Sequence, residues 1–405
     1  MEIKKKIKSF ILSSLASNSN RKIGIEEEII IYNSNRKRLP VNSGEDFSAS
    51  DLIDILNKIE KNGIYSLEPG GQIEWSSLPY DNLIKLDHAQ KIKNVNFNQI
   101  LDQNNLKKIS YSVDPFYEPE DIDLINDKKY ILMNKNMINN GTMGKWMMRN
   151  TASIQINFDF KDEQELEEMV FIADCIHPIG AFLFSNSPMM KGEKVKNKNI
   201  RNIIWNNTDN SRCGNLIDHN INTSENLVNK YIDYICEVPA IFQLDRKGKA
   251  QGTSGTLIDR LKYLDNINAL TDEDISSALR QIFTNVRLKN LVEIRGADRP
   301  PYGYEMAPVS FWTGLLTVES IRSEIIKEIK NWKYEDRIRF NESSLILNDS
   351  KLTIKNKKYS YWNKWFGELA LQGLKERGLG EEVLFKEFFN IVMTKGPFSL
   401  QHQLK

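Results

Sequence analysis

Polar and apolar residues alternate with a period of two over four stretches of this chain, and the polar half of each is unusual. Side chains of a strand alternate between its faces. Over Ile23 to Ile31, Ile23, Ile25, Ile29 and Ile31 therefore share one face, and Gly24, Glu26 and Glu28 share the other. Carboxylates at i and i+2 repel unless cations or solvent answer them. In SLEPGGQIEWS, Ser66 to Ser76, a Pro69-Gly70-Gly71 turn separates Glu68 from Glu74. Ile73 and Trp75 face the core there, and Glu74 and Ser76 face away. From Thr151 to Phe160 the alternation is complete, with Thr151, Ser153, Gln155, Asn157 and Asp159 forming a polar face free of Lys and Glu. The stretch Leu288 to Arg295 is read as a fourth strand, with Val292 and Ile294 opposite Leu291, Glu293 and Arg295. Taken singly, each polar face suits a solvated sheet surface.

Helical periodicity fills the intervals. Ile3, Ile7, Phe10 and Ile11 lie on one face of an N-terminal amphipathic helix. The apolar run there is short and broken by Ser13 and Ser14, which argues against a signal peptide. Asp51 to Lys61, Glu163 to Ile176, Val318 to Ile329 and Trp362 to Arg377 read as helices, the last stopping at Gly378. Thr271 with Asp274 three residues on is a capping-box signature that opens another. Strands and helices mix without regular βαβ alternation. The pattern predicts an α+β fold with an antiparallel sheet, and neither an internal repeat nor an obvious linker interrupts it.

Composition narrows the classes of function. The chain has 405 residues, 55 Lys+Arg against 54 Asp+Glu, and a formal net charge of +1, so charge gives no case for nucleic acid or membrane as partner. The runs Lys4 to Lys8 and Lys191 to Lys198 lack an aromatic platform and read as solvated surface. No apolar run is long enough to span a bilayer. Cys175, Cys213 and Cys236 are sparse, without metal-type spacing, which points to a reducing, cytoplasmic compartment and no disulfide framework. His88, His177, His219 and His402 form no zinc motif.

Considered together, the four strands supply Glu26, Glu28, Glu68, Glu74, Gln155, Glu293 and Arg295. Hard oxygen ligands without Cys or His clusters suit Mg2+, with Mn2+ as the alternative. If one sheet holds all four strands, its acidic face is suited to a metal–nucleotide complex, with the Arg295 guanidinium on phosphate.

At this point the residues resemble a known family, the glutamate–cysteine ligases of the plant and proteobacterial type. The resemblance runs through GIEEE (24–28), SLEPGGQIEWS (66–76), MMRNTASIQINFD (147–159), HPIGAFLFSNSP (177–188), IWNNTDNSRCG (204–214), VRLKNLVEIRGAD (286–298) and FWTGLL (311–316), in family order. It implies a glutamine-synthetase-like fold, a curved antiparallel sheet with helices behind. It also implies one catalytic domain over 1–405, with a motif-bearing core at about 20–320 and a helical part at about 321–405. The implied reaction uses ATP to phosphorylate the glutamate γ-carboxylate, after which the amine of cysteine attacks the acyl phosphate. By the same resemblance Glu26, Glu28, Glu68, Glu74, Gln155 and Glu293 hold metal, Arg295 serves catalysis with Glu293 and binds nucleotide, and Arg212 clamps a substrate carboxylate. Thr151 and Asn157 belong to the substrate side. The expected assembly is a monomer or weak homodimer.

Three departures stand out. Glu27 occupies a position where the plant type usually has His. The family arginine directly before Thr151 is Asn150 here, with Arg149 one residue earlier. If the strand already runs at Arg149, that side chain shares the face of Thr151 and Gln155 and takes over the role. If the chain is irregular before Thr151, Asn150 takes the family position and one substrate carboxylate lacks its cation, which predicts weak binding or a different acceptor. The plant-type redox switch needs paired cysteines, and no pair is evident. Competing readings are a γ-glutamyl ligase with another amine acceptor, a guanidino kinase, and a non-catalytic glutamate- or nucleotide-binding relative. SLEPGGQIE speaks for the ligases, and none of the acids expected of a catalyst is missing.

Overall fold

The computed structural model describes residues 2–16, 21–44, 46–347 and 351–403. Its principal sheet is built from β1 (Ile23–Tyr32), β2 (Gly63–Leu67), β3 (Ile73–Ser77), β4 (Lys107–Ile109), β5 (Ser153–Phe158), β6 (Val286–Leu288) and β7 (Val292–Asp298). The order is β6-β7-β5-β1-β3-β2, and β4 pairs with the end of β1. Every pairing in it is antiparallel, so the mixed α+β reading holds.

The helices are α1 (Glu2–Ile11), α2 (Ala49–Ile59), α3 (Leu83–Gln103), α4 (Lys128–Asn140), α5 (Gly144–Asn150), α6 (Glu163–Leu183), α7 (Ile200–Asn206), α8 (Leu227–Glu237), α9 (Leu257–Asn266), α10 (Asp272–Leu279), α11 (Met306–Leu316), α12 (Glu319–Ile329), α13 (Tyr334–Leu345), α14 (Tyr359–Glu376) and α15 (Val383–Lys395). A short helix, Phe398–Gln403, follows. The predicted stripe of α1 is buried at Ile3, Ile7 and Ile11. The capping box at Thr271 is formed, with Asp274 N–H donating to the Thr271 hydroxyl and the Asp274 carboxylate accepting from the Thr271 backbone.

Alternation divides the sheet's two faces. Ile23, Ile25 and Ile29 of β1, Ile73 and Trp75 of β3, Ile154 and Ile156 of β5 and Val292 and Ile294 of β7 are buried in one large core. Helices α3, α6 and α11 contribute Phe97, Ile172 and Trp312 to it, and α14 and α15 extend it with Trp362 and Phe388. A smaller apolar cluster joins α4, α5 and α7 through Met133, Met147, Met148 and Ile204, with Phe242.

Three local expectations are corrected. Leu288 to Arg295 is a hairpin rather than one strand, since β6 turns back into β7 with Arg287 opposite Glu293. Before Thr151 the chain is the helix α5, not the continuation of β5, so alternation does not govern Arg149. Lys198 is not solvated; it is buried, donates to Ser343 O and lies 5.5 and 5.2 Å from the Phe182 and Tyr359 ring centroids. Lys4, Lys6 and Lys8, by contrast, form surface ion pairs with Asp233, Asp265 and Glu163. Among the described residues no helix is long and apolar enough to cross a membrane.

Candidate active site

The second face of the sheet carries the polar residues. Register brings Glu28 of β1 opposite Glu74 of β3, Glu26 opposite both Gln155 of β5 and Ser76 of β3, and Glu293 of β7 opposite Asn157 of β5. Glu68 reaches the same region through the tight turn between β2 and β3. Gly71 N–H donates to Glu68 O there, and Gly71 has a φ of +76°, a conformation glycine adopts without a Cβ penalty. Gln72 fixes the turn to the start of β5, donating to Thr151 O at 2.8 Å.

A cavity of about 480 Å³ opens on this face. Glu26, Glu28, Glu68, Glu74, Thr151, Gln155, Glu293 and Arg295 all line it. Glu28, Glu68 and Glu74 each offer a carboxylate oxygen, and these atoms lie within 4.8 Å of one another. Among the described residues no Lys, Arg or His nitrogen comes within ion-pair distance of any of the three. Their hydrogen-bond donors are neutral, Gln155 donating to Glu28 at 2.9 Å and the Ser66 hydroxyl to Glu74 at 2.9 Å, while Lys129 and Arg295 act on Glu68 only at longer range. Burial, then the charge on Glu28, pushes the Glu68 carboxyl up to about 7. Burial, then Glu68, Glu26 and Glu28, raises Glu74 well above the usual carboxylate range. Such a trio of hard oxygen donors fits a divalent cation of the Mg2+ type, whose charge would remove the repulsion.

Glu293 has the opposite surroundings. Arg287 holds it in bidentate fashion at 2.5 and 3.0 Å, Lys289 at 2.7 Å and Arg295 at 3.2 Å. Burial resists ionisation there, but the three cations outweigh it and hold the carboxyl well below its ordinary range. Glu26 sits between the two environments. It accepts from Asn157 Nδ2 at 2.9 Å, and burial followed by the charge of Glu293 raises its pKa. Arg295 bridges the groups, donating through Nη1 to Gln155 Oε1 at 2.5 Å, while Gln155 Nε2 donates to Glu28. Arg295 lies in a bulge, because β7 takes two residues, Arg295 and Gly296, to match Gln155 of β5. A Cβ on Gly296 would overlap the His177 ring of α6, so the sequence Arg-Gly is what lets the bulge lie against that helix.

Several expected site residues are placed otherwise. Arg212 does not line the cavity. It is fully buried, paired with Asp209 at 2.7 Å, and donates to Gln281 O at 3.1 Å and Pro239 O at 2.6 Å. Arg149 is likewise engaged elsewhere, donating to Pro119 O at 2.7 Å, Ile122 O at 3.2 Å and Asn134 Oδ1 at 3.2 Å. Both guanidiniums tie loops together, so neither is poised for a substrate carboxylate. Asn157 meets the site through Glu26 rather than by lining the cavity. Not foreseen are the lining cations Lys129, Arg280, Arg287 and Lys289 and an apolar end made by Met147, Met148, Trp205, Phe242 and Phe283. Arg287 and Lys289 lie inside the VRLKNLVEIR segment, where a hairpin reading would have set them beside Glu293. Lys129 and Arg280 carry no local signal.

The sequence model of glutamate–cysteine ligase family 2 (GCS2) matches residues 22–344. The chloroplastic glutamate–cysteine ligase of Medicago truncatula is 27% identical over 345 residues, covering 81% of this chain and 65% of the relative. That of Arabidopsis thaliana is 28% identical over 342 residues, covering 81% and 63%. Glutamate–cysteine ligase A, chloroplastic, of Oryza sativa subsp. indica is 30% identical over 283 residues, covering 67% and 56%. The chain thus spans just under two thirds of the length of the Medicago and Arabidopsis relatives. In fold it is similar to a crystal structure of glutamate–cysteine ligase from Francisella tularensis in complex with AMP, at a TM-score of 0.62 and 13% identity, covering 96% of this chain and 86% of that one. The sequence match extends from just before β1 past β7 and into the helices behind the sheet, and so takes in every strand that lines the cavity: the chain belongs to glutamate–cysteine ligase family 2.

Proposed function

We propose that this chain joins the γ-carboxylate of glutamate to the amine of cysteine, with cleavage of ATP to ADP and phosphate. The observation that carries the reading is the convergence of Glu28, Glu68 and Glu74 beside the Arg295–Gln155 pair, in a chain of this family. A γ-carboxylate oxygen attacks the terminal phosphorus of ATP, and ADP leaves. The amine then attacks the acyl carbon of γ-glutamyl phosphate, phosphate leaves, the nitrogen gives up one proton to the departing phosphate or to solvent, and the C–N bond remains.

Both partners of the first step are anions, and that fixes what the residues must do. Glu28, Glu68 and Glu74 would hold a divalent cation, Mg2+ or Mn2+, which when bound would supply positive charge for the phosphate oxygens. Arg295, anchored by Glu293 and Gln155, presents its guanidinium to the transferring phosphoryl group. Arg287 and Lys289 hold Glu293 ionised, which keeps Arg295 in place. Substrate carboxylates and outer phosphates fall to Lys129 and Arg280 at the rim, since Arg149 and Arg212 are occupied. The apolar, sulfur-rich end with Met147 and Met148 suits a small thiol side chain better than a charged acceptor.

The test is a panel of amines with ATP, glutamate and Mg2+. The expected outcome is γ-glutamylcysteine, with one ADP and one phosphate for each product formed. AMP and pyrophosphate would reject the acyl phosphate, and preference for another amine would reject cysteine.

A further inference from the structure

The residue between two cavity-lining carboxylates, Glu26 and Glu28, points to the other side of the sheet. Glu27 follows Glu26 and precedes Glu28 on β1, so alternation sends its side chain into the helix-covered core. Glu27, Lys93 and Arg299 are each 0% exposed. Lys93 of α3 donates to Glu27 Oε2 at 2.5 Å, and Gln90 of the same helix reaches that oxygen at 3.3 Å. Arg299, in the segment leaving β7, donates to Glu27 Oε1 at 2.8 Å and to Glu305 at 3.1 Å. Lys93 Nζ also lies 5.1 Å from the Trp75 ring centroid of β3.

These contacts span strands that are not neighbours. β5 separates β1 from β7, with Ile154 paired to Glu27 on one side and Ala297 on the other. The Glu27–Arg299 pair therefore crosses β5 on the reverse face. It ties the strand that carries Glu26 and Glu28 to the strand that carries Glu293 and Arg295.

Stability alone does not call for such a network. Replacing a buried, charge-balanced pair by apolar groups of similar size is commonly neutral or stabilising. What the charges add is direction, since carboxylate–guanidinium contacts fix distance and angle where apolar contacts slide. We propose that Glu27, Lys93 and Arg299 form a positioning clamp that sets the spacing between the cation-binding carboxylates of β1 and β3 and Arg295 of β7. This deepens, and rests on, the reading of that face as the ligase site. None of the three touches substrate; they act through β1 and β7.

The experiment uses the full chain with Glu27→Met and Lys93→Met combined, which removes one negative and one positive charge and leaves Arg299 paired with Glu305. Thermal melting, Mn2+ binding without substrates, and kcat for ligation are measured. The clamp predicts melting within a few degrees of the parent, Mn2+ affinity changed less than about threefold because Glu28, Glu68 and Glu74 lie on adjoining segments, and kcat lowered at least tenfold. Parent-like kcat in a well-folded double variant overturns it, as does a parallel loss of melting temperature and activity. If the double variant does not fold, Arg299→Lys serves. It keeps the charge but loses the planar fork. A tenfold lower kcat with parent-like Mn2+ binding then supports the clamp, and parent-like kcat overturns it. A parent chain without glutamate-dependent ATP cleavage defeats the ligase reading, and the clamp with it. A clamp that fails alone shows as a normal parent beside a normal variant.

Discussion

Two groups of carboxylates, one buried and the other buried only at Glu28 and half-buried at Glu68 and Glu74, differ in whether the protein answers their charge itself. Glu27 and Glu293 are surrounded by cations, Lys93 and Arg299 for the first and Arg287, Lys289 and Arg295 for the second. For Glu27, burial is outweighed by Lys93 and Arg299, which hold the carboxyl down to about 2. Glu28, Glu68 and Glu74 have neutral hydrogen-bond donors and one another. The first group is charge-balanced by the fold as it stands. The second is at its best only when a cation arrives, and charge deficit separates the two better than position in a motif does.

The sharpest way to break this comparison is to neutralise one acid of each kind. Glu293→Gln leaves three cations around a neutral amide and should cost about 3–5 kcal/mol of stability, as breaking buried pairs does. Chemical denaturation measures it, and a loss below about 1 kcal/mol would place Glu293 with the trio. Glu74→Gln should do the reverse. The cation-free protein should melt at the same temperature or higher, because a carboxyl whose ionisation burial and its acidic neighbours oppose is replaced by a neutral amide. Ligation should fall on the order of a hundredfold or more, since charge stabilisation at phosphate is lost.

How far the sequence revealed these roles depends on the range of the forces involved. The strands β1 and β5 were legible because alternation is local, and with them the faces of Glu26, Glu28 and Gln155. The Glu68 position followed from its Pro-Gly-Gly turn. Arg149 and Arg212 were not legible, because the role of a long cationic side chain is set by whichever carbonyls and carboxylates the tertiary fold brings near. Pro119, Ile122, Pro239 and Gln281 are far away in sequence. The β6–β7 hairpin was missed because its three-residue connection, Lys289-Asn290-Leu291, lacks the glycine that usually marks so tight a turn.

Arg149→Ala sharpens this last point. A substrate-binding arginine would raise KM about tenfold or more on removal. The observed contacts instead predict KM values for glutamate and cysteine within about twofold of the parent and a stability loss of roughly 1–3 kcal/mol, from carbonyls left without donors.

A pH series separates the groups without mutation. The folded protein holds the Glu68 proton more tightly than the unfolded chain, whose carboxyl has its usual value near 4.5. Its contribution to the stability of the cation-free protein is therefore fully present below about 4.5 and is lost as pH rises through about 7. Mg2+ should restore stability at the upper end of that window and release protons as it binds. Glu27 runs the other way, contributing above about 4.5 and losing that contribution only as pH falls toward about 2. Melting curves across this range, with and without Mg2+, check both signs. The smallest effect is expected from reductant. Cys175, Cys213 and Cys236 are buried and free, and burial pushes their thiols up to about 12, 12 and 11, so ligation should be the same with and without dithiothreitol.

Glu28, Glu68 and Glu74 are proposed to hold the divalent cation of the ligase reaction. Mn2+ titration of the substrate-free chain, read by electron paramagnetic resonance, tests this assignment directly. Saturable binding is expected in the parent, weakened at least tenfold in both Glu68→Gln and Glu74→Gln, and declining in the parent as pH falls below about 7. Equal Mn2+ affinity in the parent and in both variants would contradict it.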